Sequence, residues 1–445
     1  MAKKDKIFDV LIVGGGMVGA SLAVALEPLN LKVGMVEAFQ FGTSGQPSYD
    51  DRAIALSYGS SRIFSGMGLW DDLQDKTTAI NEIEVSDRGH FGATRLSAVQ
   101  EKVPALGYLV ESRVLGQQLY EQLKKCQVEQ FVPASVTQVE QGEAVLTVKI
   151  EQKLKSKTKK ETKAKSIQTR LLVAADGTHS PIREMSGIDV KTSDYQQSAI
   201  IANVSTEKPH ENKALERFVA TGPIALLPMS DNRCSLVWTH STKNGMESVE
   251  ATMAMDDEAF LKKLNEEFGY RLGRFTKVGE RSCYPLSLVT SKTNTANRTV
   301  IIGNASHTMH PVAGQGLNLA MRDIAVLADL ITENSRNDVG ADSLLQAYEK
   351  QRAGDLKTTV RYTDSLVRLF SNDNFLLGHA RASGLMVVDR VPPLRKWLTR
   401  QSMGINYRQS RLARGLALRE QQGFKALGVK QQQDLKKQGL KNETV

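Results

Sequence analysis

The segment Ile7–Glu37, IFDVLIVGGGMVGASLAVALEPLNLKVGMVE, constrains the fold of this chain more than any other stretch. Residues 7–13 form a short apolar run rich in β-branched side chains, which reads as a strand. A glycine-rich turn follows, then ASLAVAL, which suits a helix, and Leu31–Glu37 reads as a second strand. Strand, turn, helix and strand within about 30 residues make a βαβ unit. Gly14, Gly16 and Gly19 complete G-x-G-x-x-G, and Glu37 closes the second strand 18 residues after Gly19. Gly14 permits the tight turn, Gly16 lets backbone approach a pyrophosphate, and Gly19 lets helix and strand pack closely. A diphosphate placed there meets unpaired N–H groups at the positive end of the helix dipole. Glu37 can accept hydrogen bonds from a ribose 2′-OH, and its charge disfavours a 2′-phosphate. An adenine dinucleotide site is therefore expected; NAD and FAD both remain open at this point.

The basic start MAKKDK and this apolar stretch together mimic a secretion signal. Asp9 and the three successive glycines argue against it, because glycine is a poor helix-interior residue. Cys126, Cys234 and Cys283 are few, odd in number and far apart, so a reducing cytosol is expected. The chain reads as soluble and cytoplasmic.

With 445 residues, one compact core is too small a frame and two domains are expected. Two further strand-to-turn edges come late, RLLVAADG (Arg170–Gly177) and RTVIIGNAS (Arg298–Ser306). Ligands sit at such strand ends in parallel sheets. The intervening runs AIIANVS, ERFVATGPIALLPMS and RCSLVWTHS read as a separate, largely antiparallel sheet with a turn at SDNR. From Gln315, the residues Leu317, Ala320, Ile324, Leu327, Ala328 and Ile331 repeat at helical spacing. The net charge of +9 invites a nucleic-acid reading. However, Lys153–Lys165 holds seven lysines against Glu161, a net of +6, and no aromatic to stack on bases. It reads as a solvated loop between two strands, and no nucleic-acid partner is expected.

DDRAIALS (Asp51–Ser57), VESRVLGQQL (Val110–Leu119), AADGTHSPIR (Ala174–Arg183) and GNASHTMHPVAGQGLN (Gly303–Asn318) follow the glycine turn in a fixed order. In that order they resemble the FAD-dependent aromatic hydroxylases. VSDRGHFG, ERFVATGPIALLPMSDNRCSLVW and GNASHTMHPVAGQGLNLAMRD further resemble the ubiquinone-biosynthesis hydroxylases, nearest to the branch acting on 2-octaprenyl-6-methoxyphenol. The resemblance spans nearly everything except the Lys-rich loop and the last forty residues. It implies an α/β fold: a Rossmann-like FAD-binding domain, an inserted antiparallel β-sheet substrate domain and a helical C-terminal region. The expected division is 1–70, 108–195 and 295–370 for the FAD-binding domain, 71–107 and 196–294 for the substrate domain, and 371–445 for C-terminal helices and a basic tail.

The resemblance implies FAD as cofactor and NAD(P)H as a transient reductant without a second Rossmann domain. With O2, it implies hydroxylation of a polyprenylated phenol, 2-polyprenyl-6-methoxyphenol, in ubiquinone biosynthesis. A sister hydroxylase acting at another ring position, or a non-catalytic flavoprotein subunit of the biosynthetic assembly, stays open. So lipophilic a substrate implies association with the inner-membrane periphery or a biosynthetic complex. Carried over by position, Arg52 contacts the cofactor, Arg113 and Gln117 the diphosphate or ribityl region, and Asp176 and Gly177 both nucleotides. Arg183 follows as a partner for nicotinamide-nucleotide phosphates or as a helix-surface ion pair. Gly303, Asn304, Pro311, Gly314, Gly316 and Asn318 belong to the cofactor motif, with Asn304 standing where the family usually has a ribityl-binding Asp. An Asn keeps an acceptor oxygen and gains a donor. His307 and His310 border the flavin by resemblance. A metal is not expected at this pair, because no third ligand stands nearby. They are instead candidates for a structural or substrate-side hydrogen-bonding role, or for the base acting on the phenol.

Overall fold

The computed structural model describes residues 6–42, 52–89, 93–154, 161–241, 247–310, 314–370 and 384–418. Its first sheet has the strand order Thr295–Ala296, Thr299–Ile301, Glu161–Ala174, Ile7–Val13, Val33–Val36 and Val128–Phe131. The strands from Thr299–Ile301 to Val128–Phe131 run parallel, with Ala174 beside Ile301, Val13 beside Ala174, and Val36 beside Val13. With Phe131 beside Val36, five strands therefore end level with one another. Val10, Leu11 and Ile12 are buried on both faces of the sheet, which is why Ile7–Val13 is a continuous apolar run rather than an alternating one. One face packs against the helices Met17–Leu26, Ser112–Leu123 and Gln315–Asn334. The other packs against a layer of strands from Ala134–Glu140, Leu146–Leu154 and the start of Glu161–Ala174.

The described ends of the lysine-rich run are paired strand. Pairing extends out to Leu154 opposite Glu161, so Lys153, Lys163 and Lys165 stand on strands, with Lys165 against the Phe131 ring and Glu129. A period-2 pattern is hard to see where Thr162, Lys163, Ala164, Lys165 and Ser166 are all exposed. Residues 155–160, like the stretch 419–445 of the basic tail, lie outside the described residues.

The second sheet has nine strands and is antiparallel but for one pair. Its order is His307–Thr308, Ser282–Ser291, Val190–Thr206, Arg233–Ser241, Gly222–Pro228, Lys213–Val219, Glu82–Asp87 and Ala93–Ser97, with Phe275–Val278 beside Val190–Thr206. Ile200, Leu215, Leu226, Leu236 and Trp238 face the helix Asp257–Phe268 through Phe260, Leu264 and Phe268. Asp231 and Asn232 form the SDNR turn, both left-handed (φ 58° and 55°), as a two-residue hairpin with matching twist requires. Glu82–Asp87 joins this sheet as the parallel neighbour of Lys213–Val219. A small third sheet comprises Ala53–Ser57, Gly107–Glu111 and Thr78–Ile80. Helix Asp342–Phe370 packs on Gln315–Asn334, and Pro392–Ser402 lies against Ala93–Ser97. Among the described residues, no helix is long and apolar enough to cross a membrane.

Candidate active site

The level strand ends assemble the glycine turn. Gly14 has φ +101°, and a Cβ there would lie 2.3 Å from the Ala175 carbonyl oxygen. A Cβ on Gly19 would lie 1.8 Å from the Gly14 carbonyl oxygen, so helix and turn touch backbone to backbone. Gly16 is the N-cap of Met17–Leu26 and supplies no side chain, leaving the first-turn N–H groups available to an anion. Glu37 is buried one strand over and accepts from the Gly15 and Phe39 amides (2.8 Å for Phe39). A carboxylate has about four lone-pair sites, so a ribose hydroxyl can still be accommodated.

The Asp-Gly motif follows the adjacent strand. Asp176 Oδ2 accepts from the Ile182 amide at 3.3 Å, while Oδ1 is buried without a partner. Burial raises the Asp176 pKa against the opposing hydrogen bonds from Ser180 and Ile182. Gly177 has open space where a side chain would be. Arg183 is neither a surface ion pair nor poised at an exposed phosphate: it is buried, and its Nη1 donates to the Ala305 carbonyl at 2.9 Å. Thr178 and Thr308 hydroxyls meet at 3.0 Å. These bonds fasten the Asp-Gly motif to the turn Gly303–Ala305, where Asn304 is exposed and Gly303 packs on Val18 of the first helix.

Sequence inspection passed over the anchor of that turn. Asp323, eight residues into the long helix, accepts from the Gly303 amide at 3.1 Å and from Arg352 Nε at 2.7 Å. Arg352 also bonds Asp355, which pairs with Arg322 at 2.7 Å; Arg322, Asp323 and Arg352 are buried and Asp355 is partly so. Burial opposes the charge on Arg352, but Asp323 and Asp355 outweigh it and raise its pKa. The available signal was the pair of charges in LAMRD within an apolar helical face, which must be partnered to be buried.

The two histidines do not converge. His307 Nδ1 lies 3.2 Å from Ser306 Oγ and 3.9 Å from Asp323 Oδ2. Ser306 Oγ donates its proton to Asn294 Oδ1, so Nδ1 is the donor and the buried, partnerless Nε2 an acceptor. His310 Nε2 lies 3.2 Å from Gln197 Oε1, and its ring stands edge-on to Tyr195. Burial lowers both pKa values, that of His310 to about 4, so both imidazoles are neutral at pH 7. A base that weak takes a phenol proton poorly. Among the described residues, no group of three or more His, Cys, Asp and Glu could hold a metal ion.

Gly314 caps the long helix, and Gly316 in its first turn faces open space. Asn318 is committed within the protein: its amide donates to Ala55 and Gly314 carbonyls, and Oδ1 accepts from the Ser57 amide and Ser60 hydroxyl. It thereby ties the helix to the DDRAIALS strand. Arg52 lies over the Tyr284 ring at 5.2 Å, joining that strand's start to the nine-stranded sheet. Arg113 is exposed and 3.3 Å from Glu111, and Gln117 is exposed on the same helix. Pro311 lies outside the described residues.

A family model described as FAD binding domain matches residues 8–363. Ubiquinone hydroxylase UbiL of Rhodospirillum rubrum is 36% identical over 403 residues, covering 90% of each chain. The chain belongs to the FAD-dependent aromatic hydroxylases. A further relative of the hydroxylase is 3-demethoxyubiquinol 3-hydroxylase of Escherichia coli, 30% identical over 404 residues (89% of this chain, 98% of that one). Human ubiquinone biosynthesis monooxygenase COQ6 is 29% identical, covering 89% and 92%. Among solved structures, p-nitrophenol 4-monooxygenase PnpA from Pseudomonas putida DLL-E4 superposes with a TM-score of 0.73 at 15% identity, covering 91% and 100%; this likeness is one of fold.

FAD fits the residues present. The turn has no room for a side chain at Gly14, Gly15 or Gly19, the capless helix start presents donors, and Asp176 Oδ1 and His307 Nε2 are buried acceptors without partners. Bound FAD supplies the redox chemistry with NAD(P)H and O2 that ring hydroxylation needs. The hydroxylase contributes the scaffold: Arg183 and Thr178 tie the second motif to the third, and Asp323 anchors the third to the long helix. The buried His307 and His310 imidazoles themselves add no charge there.

Proposed function

We propose that the hydroxylase inserts one oxygen atom of O2 into the ring of a polyprenylated phenol, 2-polyprenyl-6-methoxyphenol, in ubiquinone biosynthesis. The observation that carries this reading is the 36% identity to a ubiquinone hydroxylase across nine tenths of both chains. In this reading the diphosphate of FAD rests on Gly14, Gly16 and the helix behind Gly19. Glu37 takes a ribose hydroxyl. Arg52, Arg113, Gln117, Asp176, Gly177, Gly303 and Asn304 border the diphosphate and ribityl chain. Gly314 and Gly316 lie beside the ring system, with Asn318 holding their turn in place. His307 and His310 act by hydrogen bonding and shape, since their neutral, weakly basic state suits them poorly to deprotonate a phenol. So lipophilic a substrate places the enzyme at the periphery of the inner membrane or in a biosynthetic complex.

A second reading, the same chemistry at another ring carbon, is favoured by the likeness to a 3-demethoxyubiquinol 3-hydroxylase over 98% of its length. Deleting the gene in a quinone-making host and identifying the accumulated precursor separates the two. Build-up of the 2-polyprenyl-6-methoxyphenol supports the first reading, and a later methylated intermediate supports the second. Unchanged quinone content would remove both.

A further inference from the structure

Side chains alternate across the strand Lys213–Val219. Leu215 points into the core beneath helix Asp257–Phe268, so Glu216 points to the opposite face of the sheet. Register sets it in a row with Ala225, Val237 and Ile201, all apolar. The same face carries Gln197, which meets His310, and Tyr284, which meets Arg52. It is therefore the face that looks onto the FAD motifs. Glu216 Oε1 is closed off from solvent and has no hydrogen-bond partner. Packing alone would favour an apolar residue here, because a carboxyl oxygen buried without a partner is costly.

A second path leads from Glu216 to the cofactor motif. Tyr362 of helix Asp342–Phe370 feels the Glu216 charge, and its hydroxyl bonds the Ser402 side chain. The Ser402 carbonyl in turn accepts from Gln315 Nε2 at 3.5 Å, directly after the Gly314 turn.

We infer that Glu216 is the hydrogen-bond acceptor for the phenol O–H of the substrate, forming a subsite for an aromatic hydroxyl between the nine-stranded sheet and the FAD motifs. This rests on the phenol-hydroxylating reading given above. An acceptor on the phenol oxygen strengthens electron donation into the ring, which is what electrophilic oxygen insertion demands. It also fixes which ring carbon faces the flavin. Burial pushes the Glu216 carboxyl up to about 7, so it is the ionised, stronger acceptor above that pH and the weaker, protonated form below it. Tyr362 is the titratable group coupled to its charge; Asp87 and Tyr284 share its face of the sheet, with Arg52 over the Tyr284 ring and His310 on Gln197. Arg217, bonded to the Phe268 carbonyl, and the Glu84–Arg271 pair stand on the opposite face of the sheet.

The test compares the FAD-loaded wild type with Glu216→Gln, using a short-chain prenylated 6-methoxyphenol and its O-methyl ether. Flavin content, melting temperature, binding by flavin absorbance and NAD(P)H-dependent hydroxylation are read between pH 6 and 8.5. The wild type is expected to bind the phenol about 10- to 100-fold more tightly than the ether, the range for a hydrogen bond to a charged group. Its KM should rise as pH falls through about 7. In Glu216→Gln, flavin content and melting temperature hold or rise, KM increases by a similar factor, the preference for phenol over ether fades and the pH dependence disappears. Wild-type KM and pH profile in the variant would overturn the subsite alone. Loss of flavin with a lower melting temperature would make Glu216 structural and also overturn it. A wild type that hydroxylates no prenylated phenol would overturn the proposed function and this inference with it.

Discussion

At the scale of single residues, atomic closeness decides what the glycine turn tolerates. A methyl group on Gly19 would lie 1.8 Å from the Gly14 carbonyl oxygen, and neither backbone segment can retreat without breaking the parallel sheet. Gly19→Ala is therefore expected to lose at least tenfold in FAD affinity and to cost about 1–3 kcal/mol of stability, as overpacking does. Flavin titration and urea unfolding read the two effects; full flavin retention would contradict the cradle. The places of Gly14, Gly16, Gly19 and Glu37 around one turn were readable from sequence because they follow from spacing along one βαβ unit. The histidine environments were not. Neither Gln197 as the partner of His310 nor Ser306 and Asp323 beside His307 follows from local pattern, since burial and tautomer are set by elements distant in sequence.

At the scale of elements, the long helix Gln315–Asn334 does two jobs. Its apolar stripe was evident from periodicity, whereas its buried charges showed only as residues out of pattern. Asp323 bonds both the Gly303 amide and Arg352, so removing it leaves a guanidinium buried with half its compensation. Asp323→Ala is expected to destabilise the protein by about 3–5 kcal/mol and to release the Gly303–Ala305 turn. Chemical denaturation measures the first effect, and faster flavin loss on dilution reports the second. A change below about 1 kcal/mol would mean that Asp355 alone sustains Arg352. The lysine-rich run shows the reverse limit of sequence reading: its two flanking strands were expected, but composition hid how far their pairing reaches into it.

At the scale of the whole molecule, buried titratable groups set the acid limb of stability. Burial depresses His240 and His310 to about 4, whereas unfolded histidine titrates near 6.5. Between these values the unfolded chain binds protons that the native protein refuses, so their contribution is intact above pH 6.5 and is lost as pH falls toward 4. Glu216 works the other way, with stability present below pH 4.5 and lost as pH rises through about 7. Joined by His307, which burial lowers in the same sense, His240 and His310 outweigh Glu216 and the raised Asp176, leaving a net fall in melting temperature from pH 6.5 to 4.5. Replacing His240 and His310 with Gln should flatten that slope, and a flat wild-type profile would refute the assignment. The layered α/β architecture was legible because glycine turns and apolar runs mark strand ends locally. The parallel neighbour of Lys213–Val219 was not, since nothing nearby in the chain names Glu82–Asp87 as its mate. That distant pairing makes the inserted sheet a poor module for transplantation. A fragment cut out at 190–294 would carry a raw edge of open amides and carbonyls along Lys213–Val219, and would sooner clump with its own copies than fold alone.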